Sequence, residues 1–166
     1  MINAASKNLS SNDVSKWVKA YKKYPASTKP LVIRMLSERK EALVFDNCIL
    51  PALEDDDEWV RISAIKALSG QEKSKGLPVL LQLLSKGLSA SEYKAVNETL
   101  LRVVDSKDSE LLANTLNQVS DKSKKVLVDV LAKREATNQF NAISELSNTS
   151  NSELKSSVFS ALKSVS

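Results

Sequence analysis

Histidine is absent from the 166-residue chain, and this absence excludes much of enzyme chemistry. Histidine is the usual general base near neutral pH, the commonest metal ligand, and the activating base of many serine and cysteine nucleophiles. The single cysteine, Cys48, cannot form a disulfide within the chain, and its apolar neighbours indicate a packed thiol. Catalysis would have to rest on carboxylates or lysines alone. We therefore predict a protein that is not an enzyme and that has no metal or cofactor.

Long apolar runs are also missing, and none approaches the roughly 20 residues that a membrane span needs. The first residues lack the apolar segment of a secretory signal. We expect a soluble chain with no membrane span, cytoplasmic if it is complete and periplasmic or secreted if it is excised from a longer protein. The net charge of +4 permits weak attraction to polyanions without requiring it.

Glycine and proline are scarce, with three and four copies, and helical periodicity covers nearly the whole chain. Pro30 and Pro78 suit the first turn of a helix, where a missing amide donor costs little. Pro51 lies inside an apolar stretch, where we expect it to kink or interrupt a helix. The pattern predicts an all-α protein.

Leucines recur every 30 to 33 residues and indicate an internal repeat, because helices too short to bury a face alone become stable when stacked. We take these leucines as equivalent anchors: Leu36, Leu68, Leu101, Leu131 and Leu162. The position four before the anchor is apolar in every repeat except the third, where it is Asn97. Moving the third anchor to Leu100 places Val96 and Tyr93 on the apolar face instead, and the sequence leaves both registers open.

The repeats predict a single domain over residues 1–166, in which about five antiparallel helix pairs form a right-handed α-α superhelix with the second helices on its concave side. We expect the pairs at about 11–39, 41–70, 76–104, 107–134 and 137–165.

Residues 55–70 read DDDEWVRISAIKALSG and closely resemble the second helix of a HEAT repeat, in which an acidic turn is followed by V-R, then A, then A-L. Residues 131–162 keep the layout, with Lys155 in place of Arg and Val158 in place of Ala. The resemblance covers roughly residues 28–165. It implies an armadillo-like α-solenoid that acts as a non-catalytic scaffold or accessory domain and binds a protein partner or an adjacent domain. HEAT arrays serve so many roles that the resemblance names no partner.

A basic residue stands seven positions before every anchor. This basic column consists of Lys29, Arg61, Lys94, Lys124 and Lys155. Such a column could follow nucleic-acid phosphates. A helical wheel places Arg61 on the buried side, and in HEAT-like arrays this position resembles one whose charged head reaches the turn of the neighbouring repeat. We favour the structural role.

Candidate contact residues for a protein partner are Trp59, Ile62, Lys66 and Arg34, since the wheel places Trp59 opposite Leu68. The alternative is that Trp59 folds over Met35 or Arg39. Carboxylates at 54–58 lack the spacing of a calcium loop and are explained by helix capping.

Protein binding is the predicted function, by a scaffold or accessory domain that is possibly part of a longer chain. Two alternatives stay open. One is a HEAT-like nucleic-acid-binding protein or DNA glycosylase, and the other is an accessory domain of an extracytoplasmic bacterial carbohydrate-processing protein.

Overall fold

The computed structural model describes residues 9–134 and 137–165, and within these ranges all regular structure is helical. The all-α prediction is confirmed. In chain order the helices are α1 Ser11–Tyr21, α2 Lys29–Leu36, α3 at 42–52, α4 Glu58–Ala67, α5 Lys73–Leu83, α6 Ala90–Val103, α7 Ser109–Leu116, α8 Asp121–Lys133, α9 Phe140–Ser144 and α10 Ser152–Val165. Short 3-10 turns extend α4 over Leu68–Gly70 and α9 over Glu145–Asn148, and precede α7 at Ser106–Asp108 and α9 at Thr137–Gln139.

The chain divides into two compact units, Met1–Leu77 and Pro78–Ser166, with the boundary inside α5. We call α2, α4, α6, α8 and α10 the second helices. Within the first unit α2 packs on α4, and within the second unit α8 packs on both α6 and α10. Each unit therefore contains a layer of adjacent second helices. The single domain over residues 1–166 stays a prediction.

In the first unit, polar contacts join α2 and α4 at both ends. Lys29 Nζ lies 2.6 Å from a carboxylate oxygen of Asp55, just before α4. At the other end, Gln71 Nε2 donates to the Ser37 carbonyl oxygen at 2.6 Å and to the Arg39 carbonyl oxygen at 3.2 Å. Because the two starts meet and the two ends meet, α2 and α4 run in the same direction.

In the second unit, α6 and α8 are joined in the same way. The Arg134 guanidinium, at the end of α8, donates to the Leu101 carbonyl oxygen near the end of α6. Tyr93 Oη and Ser123 Oγ, in the first halves of these helices, lie 3.3 Å apart. Gln71 and Arg134 each stand three residues after an anchor leucine. Gln71 contacts Ser37, which directly follows the preceding anchor Leu36. Arg134 contacts Leu101, which directly follows the preceding anchor if that anchor is Leu100.

The anchor leucines form the centre of the packing. Leu36, Leu68 and Leu131 are at most 1% exposed. In the third pair Leu100 is fully buried and Leu101 only partly, which settles the register that the sequence left open. Leu162 is partly exposed, and its neighbour Ala161 is buried instead.

Pro51 does not interrupt α3. The helix widens into a π turn over Phe45–Ile49, where the Leu50 amide donates to the Phe45 carbonyl oxygen, and then continues through Pro51. In a π turn each backbone amide donates to the carbonyl five residues earlier instead of four. The hydrogen bonds of the helix therefore shift just before Pro51, which has no amide hydrogen to donate. The prediction of a break is wrong, and the irregularity takes this local form instead.

Pro78 lies inside α5, because that helix begins at Lys73 rather than near residue 76. The expectation of a first-turn proline is therefore wrong. The helix tolerates Pro78 because it and Ser74, whose carbonyl loses its partner, are both exposed to water. Gly76, earlier in the same helix, lies so close to α4 that a Cβ atom would come within 2.7 Å of the Leu68 carbonyl oxygen.

Candidate functional site

Helices α2 and α4 expose both large apolar side chains and cationic side chains to solvent. Trp59 is 72% exposed and Leu31 is 52% exposed. Arg34 and Lys66, in the same two helices, are also exposed. We call these four residues the Trp59 surface. The alternative in which Trp59 folds over Met35 or Arg39 does not occur.

Ile62 does not belong to this surface, although the sequence analysis placed it there. It is only 7% exposed. Its burial follows from the packing of α4, which contacts α2 as well as the last turn of α3 at Leu50–Ala52. The helical wheel predicted that one whole side of α4 is exposed, but other helices cover α4 on more than one side.

The acidic turn before α4 fixes the backbone that carries Trp59. Asp57 is the N-cap of α4, and its carboxylate accepts hydrogen bonds from the backbone amides of Trp59 at 2.8 Å and Val60 at 3.2 Å. Arg61 donates to the carbonyl oxygens of Asp55 and Asp56 at 2.8 and 2.9 Å. Both contacts fix the first turn of the helix, so Trp59 is presented on a rigid element.

Asp55 belongs to the same turn and is half-buried. Burial alone would raise the pKa of Asp55, but hydrogen bonds from Lys29 and from the Asp57 amide, together with the charges of Lys29 and Arg61, hold that pKa below its usual range. The carboxylate therefore stays charged at neutral pH and is occupied by structural partners. This finding agrees with the capping interpretation of the acidic run.

The five residues of the basic column lie in different surroundings. Lys29 reaches the turn of the next repeat as expected, whereas Arg61 binds carbonyls of its own turn. Lys124 lies 3.5 Å from Asp121 in its own helix. Lys94 and Lys155 are exposed. The contact of Lys29 fits the expected structural role, and that role stays a prediction for the column as a whole.

A second surface lies in the unit Pro78–Ser166. A groove of about 480 Å³ is formed by the first half of α6, by α8 as far as Asp129, and by the start of α10. Its lining combines an aromatic ring, amides and both signs of charge. The residues that line it include Tyr93, Asn97, Lys94, Lys125, Asp129 and Glu153.

Two features of the groove give it a defined shape. The Lys125 ammonium and the Asp129 carboxylate pair at 2.8 Å along one face of α8. Ser89 and Glu92 form a capping box that fixes the first turn of α6, as their spacing predicts. The sequence analysis did not identify the groove. Its one signal was Asn97, the polar residue in an apolar column.

Nucleophilic and metal chemistry finds no support in the described residues. Cys48 is fully buried, and burial raises the pKa of its thiol to about 12. Within residues 9–134 and 137–165, no cluster of three cysteine or acidic side chains is placed to hold a metal ion. No helix in the same ranges is long and apolar enough to cross a membrane.

No family model and no curated protein sequence matches the chain. The resemblance to HEAT repeats therefore stays a prediction.

Proposed function

We propose that this chain is a non-catalytic scaffold or accessory domain, with the five helix pairs stacked as a HEAT-like right-handed superhelix, and that it binds a protein partner through its second helices. The packing of second helices within each unit supports the superhelix. So does the repeated contact in which Gln71 and Arg134 reach the end of the preceding second helix, because its spacing is that of the repeat.

The single observation that carries protein binding is Trp59, which is 72% exposed on a rigid helix start. Tryptophan is among the residues that most often dominate the binding energy of protein interfaces. Arg34 and Lys66 are exposed on the same two packed helices, so the surface suits an acidic segment with an apolar side chain. Catalysis has no comparable support from side-chain chemistry.

The test uses the full chain and the variant Trp59→Ala. Proteins recovered from cell extract on the immobilised wild-type chain are identified, purified and titrated by calorimetry. A true partner should bind W59A at least tenfold more weakly, a hot-spot effect of about 1.4 kcal/mol or more. Phe159→Ala is the matched control, because Phe159 is another exposed aromatic residue, with 50% exposure, but lies on α10.

Two results would contradict the proposal. One is that every recovered partner binds W59A as well as it binds the wild type. The other is binding of duplex DNA that weakens with added salt and with Lys66→Glu, which would favour the nucleic-acid alternative. The parent open reading frame tests the carbohydrate-processing alternative, through an upstream signal peptide or a neighbouring catalytic domain.

A further inference from the structure

Asn97 is the least explained residue of the groove in the unit Pro78–Ser166. With Leu100 as the third anchor, Asn97 stands three positions before it, and the corresponding residue is apolar in every other repeat, with Ile33, Ile65, Val128 and Phe159. Its amide oxygen is buried and has no hydrogen-bond partner among the described residues. A buried acceptor without a donor destabilises a fold, and residues that break a local rule in this way are concentrated at functional sites.

A ligand donor would satisfy this oxygen. Asn97 is only partly buried as a whole, so its amide can turn toward the groove and accept a hydrogen bond there. The missing group is an N–H or O–H donor that approaches from the groove. Polypeptide backbones supply such donors along their whole length.

The charges of the groove specify the ligand further. Lys94 stands on α6 at one side, and Glu153 stands on α10 at the other. Lys122, Lys125, Asp121 and Asp129 lie on α8 between them, so the lining holds three cations and three anions. A nucleic acid is a poor match, because its phosphates would meet three carboxylates. A segment that carries both signs of charge matches both sides.

We propose that this groove binds an extended peptide segment of a partner protein, with an acidic side chain at Lys94, a basic side chain at Glu153 and a backbone N–H at Asn97. The proposal rests on the proposed protein-binding function and assigns a second, separate site to it. Two helix spacings of 8–10 Å separate α6 from α10, roughly 16–20 Å in all. At about 3.3 Å per residue, the two charged residues of the peptide stand five or six positions apart.

The experiment is a selection of random twelve-residue peptides, displayed on phage, against the immobilised full chain. Enriched sequences are synthesised and titrated by fluorescence polarisation. We expect enriched peptides with an acidic and a basic residue five or six positions apart. Asn97→Val should weaken their binding about threefold to tenfold and raise the Tm by about 2–4 °C, because it loses the ligand hydrogen bond and removes the unmet acceptor.

The variant K94E/E153K reverses the charge across the groove, so it should bind peptides whose two charges are exchanged in preference to the selected ones. Asn114→Val and Lys133→Glu are matched controls, since both residues are exposed on the same unit and neither lines the groove. Both controls should bind the selected peptides with unchanged affinity.

Several results would overturn the proposal. These are the absence of enriched peptides, enriched peptides whose affinity is unchanged in both N97V and K94E/E153K, and a twelve-base oligonucleotide that binds more weakly to K94E and more tightly to E153K. Destabilisation by N97V would show that Asn97 is needed for folding and would also refute it. If no peptide is enriched but a partner is lost in W59A, the groove proposal fails while the proposed function stays intact.

Discussion

In the unit Met1–Leu77, polar side chains beside α2 and α4 hold the chain together, whereas in the unit Pro78–Ser166 several polar side chains line an open groove. Lys29, Asp55 and Gln71 each contact an atom of the neighbouring repeat. In the second unit, Asn97 has an oxygen with no partner among the described residues. In the first unit these polar groups join two second helices. In the second unit Arg134 does the same, but the amide oxygen of Asn97 takes no part in cohesion.

The largest expected effect tests which face of α6 points inward, because the position of Asn97 on the groove depends on it. Leu100→Ala should lower the free energy of unfolding by about 3 kcal/mol, since it leaves a cavity at a fully buried side chain. Leu101→Ala, its matched control, should cost roughly 1 kcal/mol because Leu101 is already partly exposed. Urea denaturation of both variants measures the difference. Equal costs would refute the register with Leu100 inside.

Gly70 tests the tightness of the first unit. A Cβ atom at this position would lie 2.2 Å from the Ser37 carbonyl oxygen, so Gly70→Ala should force α2 and α4 apart and cost about 2–3 kcal/mol. The same shift would weaken the Gln71 hydrogen bonds. Gly87→Ala is the control, since no atom lies within 4 Å of its added Cβ, and it should change the Tm very little. A stable G70A variant with an unchanged Tm would be incompatible with this close approach.

The ion pair of the first unit should make stability depend on pH. Asp55→Asn keeps the side-chain oxygen that accepts from the Asp57 amide but removes the charge that faces Lys29, at a cost of about 1–2 kcal/mol near pH 7. Because the folded-state pKa of Asp55 is lowered, its contribution is complete above the unfolded-state pKa of about 4 and is lost as the pH falls through the folded-state value. The gap between wild type and D55N should therefore close in acid.

Denaturation curves from pH 7 to pH 2 provide the measurement. Asp56→Asn is the control, because its carboxylate is exposed and should contribute less than about 0.5 kcal/mol. A gap between wild type and D55N that stays constant down to pH 2 would mean that the charge of Asp55 does not stabilise the fold.

Periodicity in the sequence predicted the features that a single helix determines, such as which of its residues are buried. The leucine spacing predicted that Leu36, Leu68 and Leu131 lie in the core, and all three are buried. The exposure of Trp59 was one of two open alternatives. Burial of Ile62 was missed because it depends on which helices cover α4, and a wheel drawn for one helix contains no information about its neighbours.

Contacts between repeats were the hardest to predict. Gln71 reaches Ser37 across 34 residues, and Arg134 reaches Leu101 across 33. Their acceptors are backbone carbonyls, which every residue possesses, so no sequence letter marks them. The groove was missed for a related reason, since it is formed by three helices that are distant in sequence. Asn97 showed only that one column was irregular.

The smallest effect is expected at the equivalent contact that occurs inside each unit, made by Gln71 in the first and by Arg134 in the second. Gln71 is 8% exposed and donates to two carbonyl oxygens, so Gln71→Ala should cost about 1 kcal/mol. Arg134→Ala should cost less, although it also removes a bond to a carbonyl, because the buried Nε of Arg134 has no partner among the described residues and its removal relieves a penalty. Gln118→Ala, on an exposed turn, is the control for both. If R134A lowers the free energy of unfolding more than Q71A does, polar contacts stabilise the second unit as much as the first, and the contrast between the units is wrong.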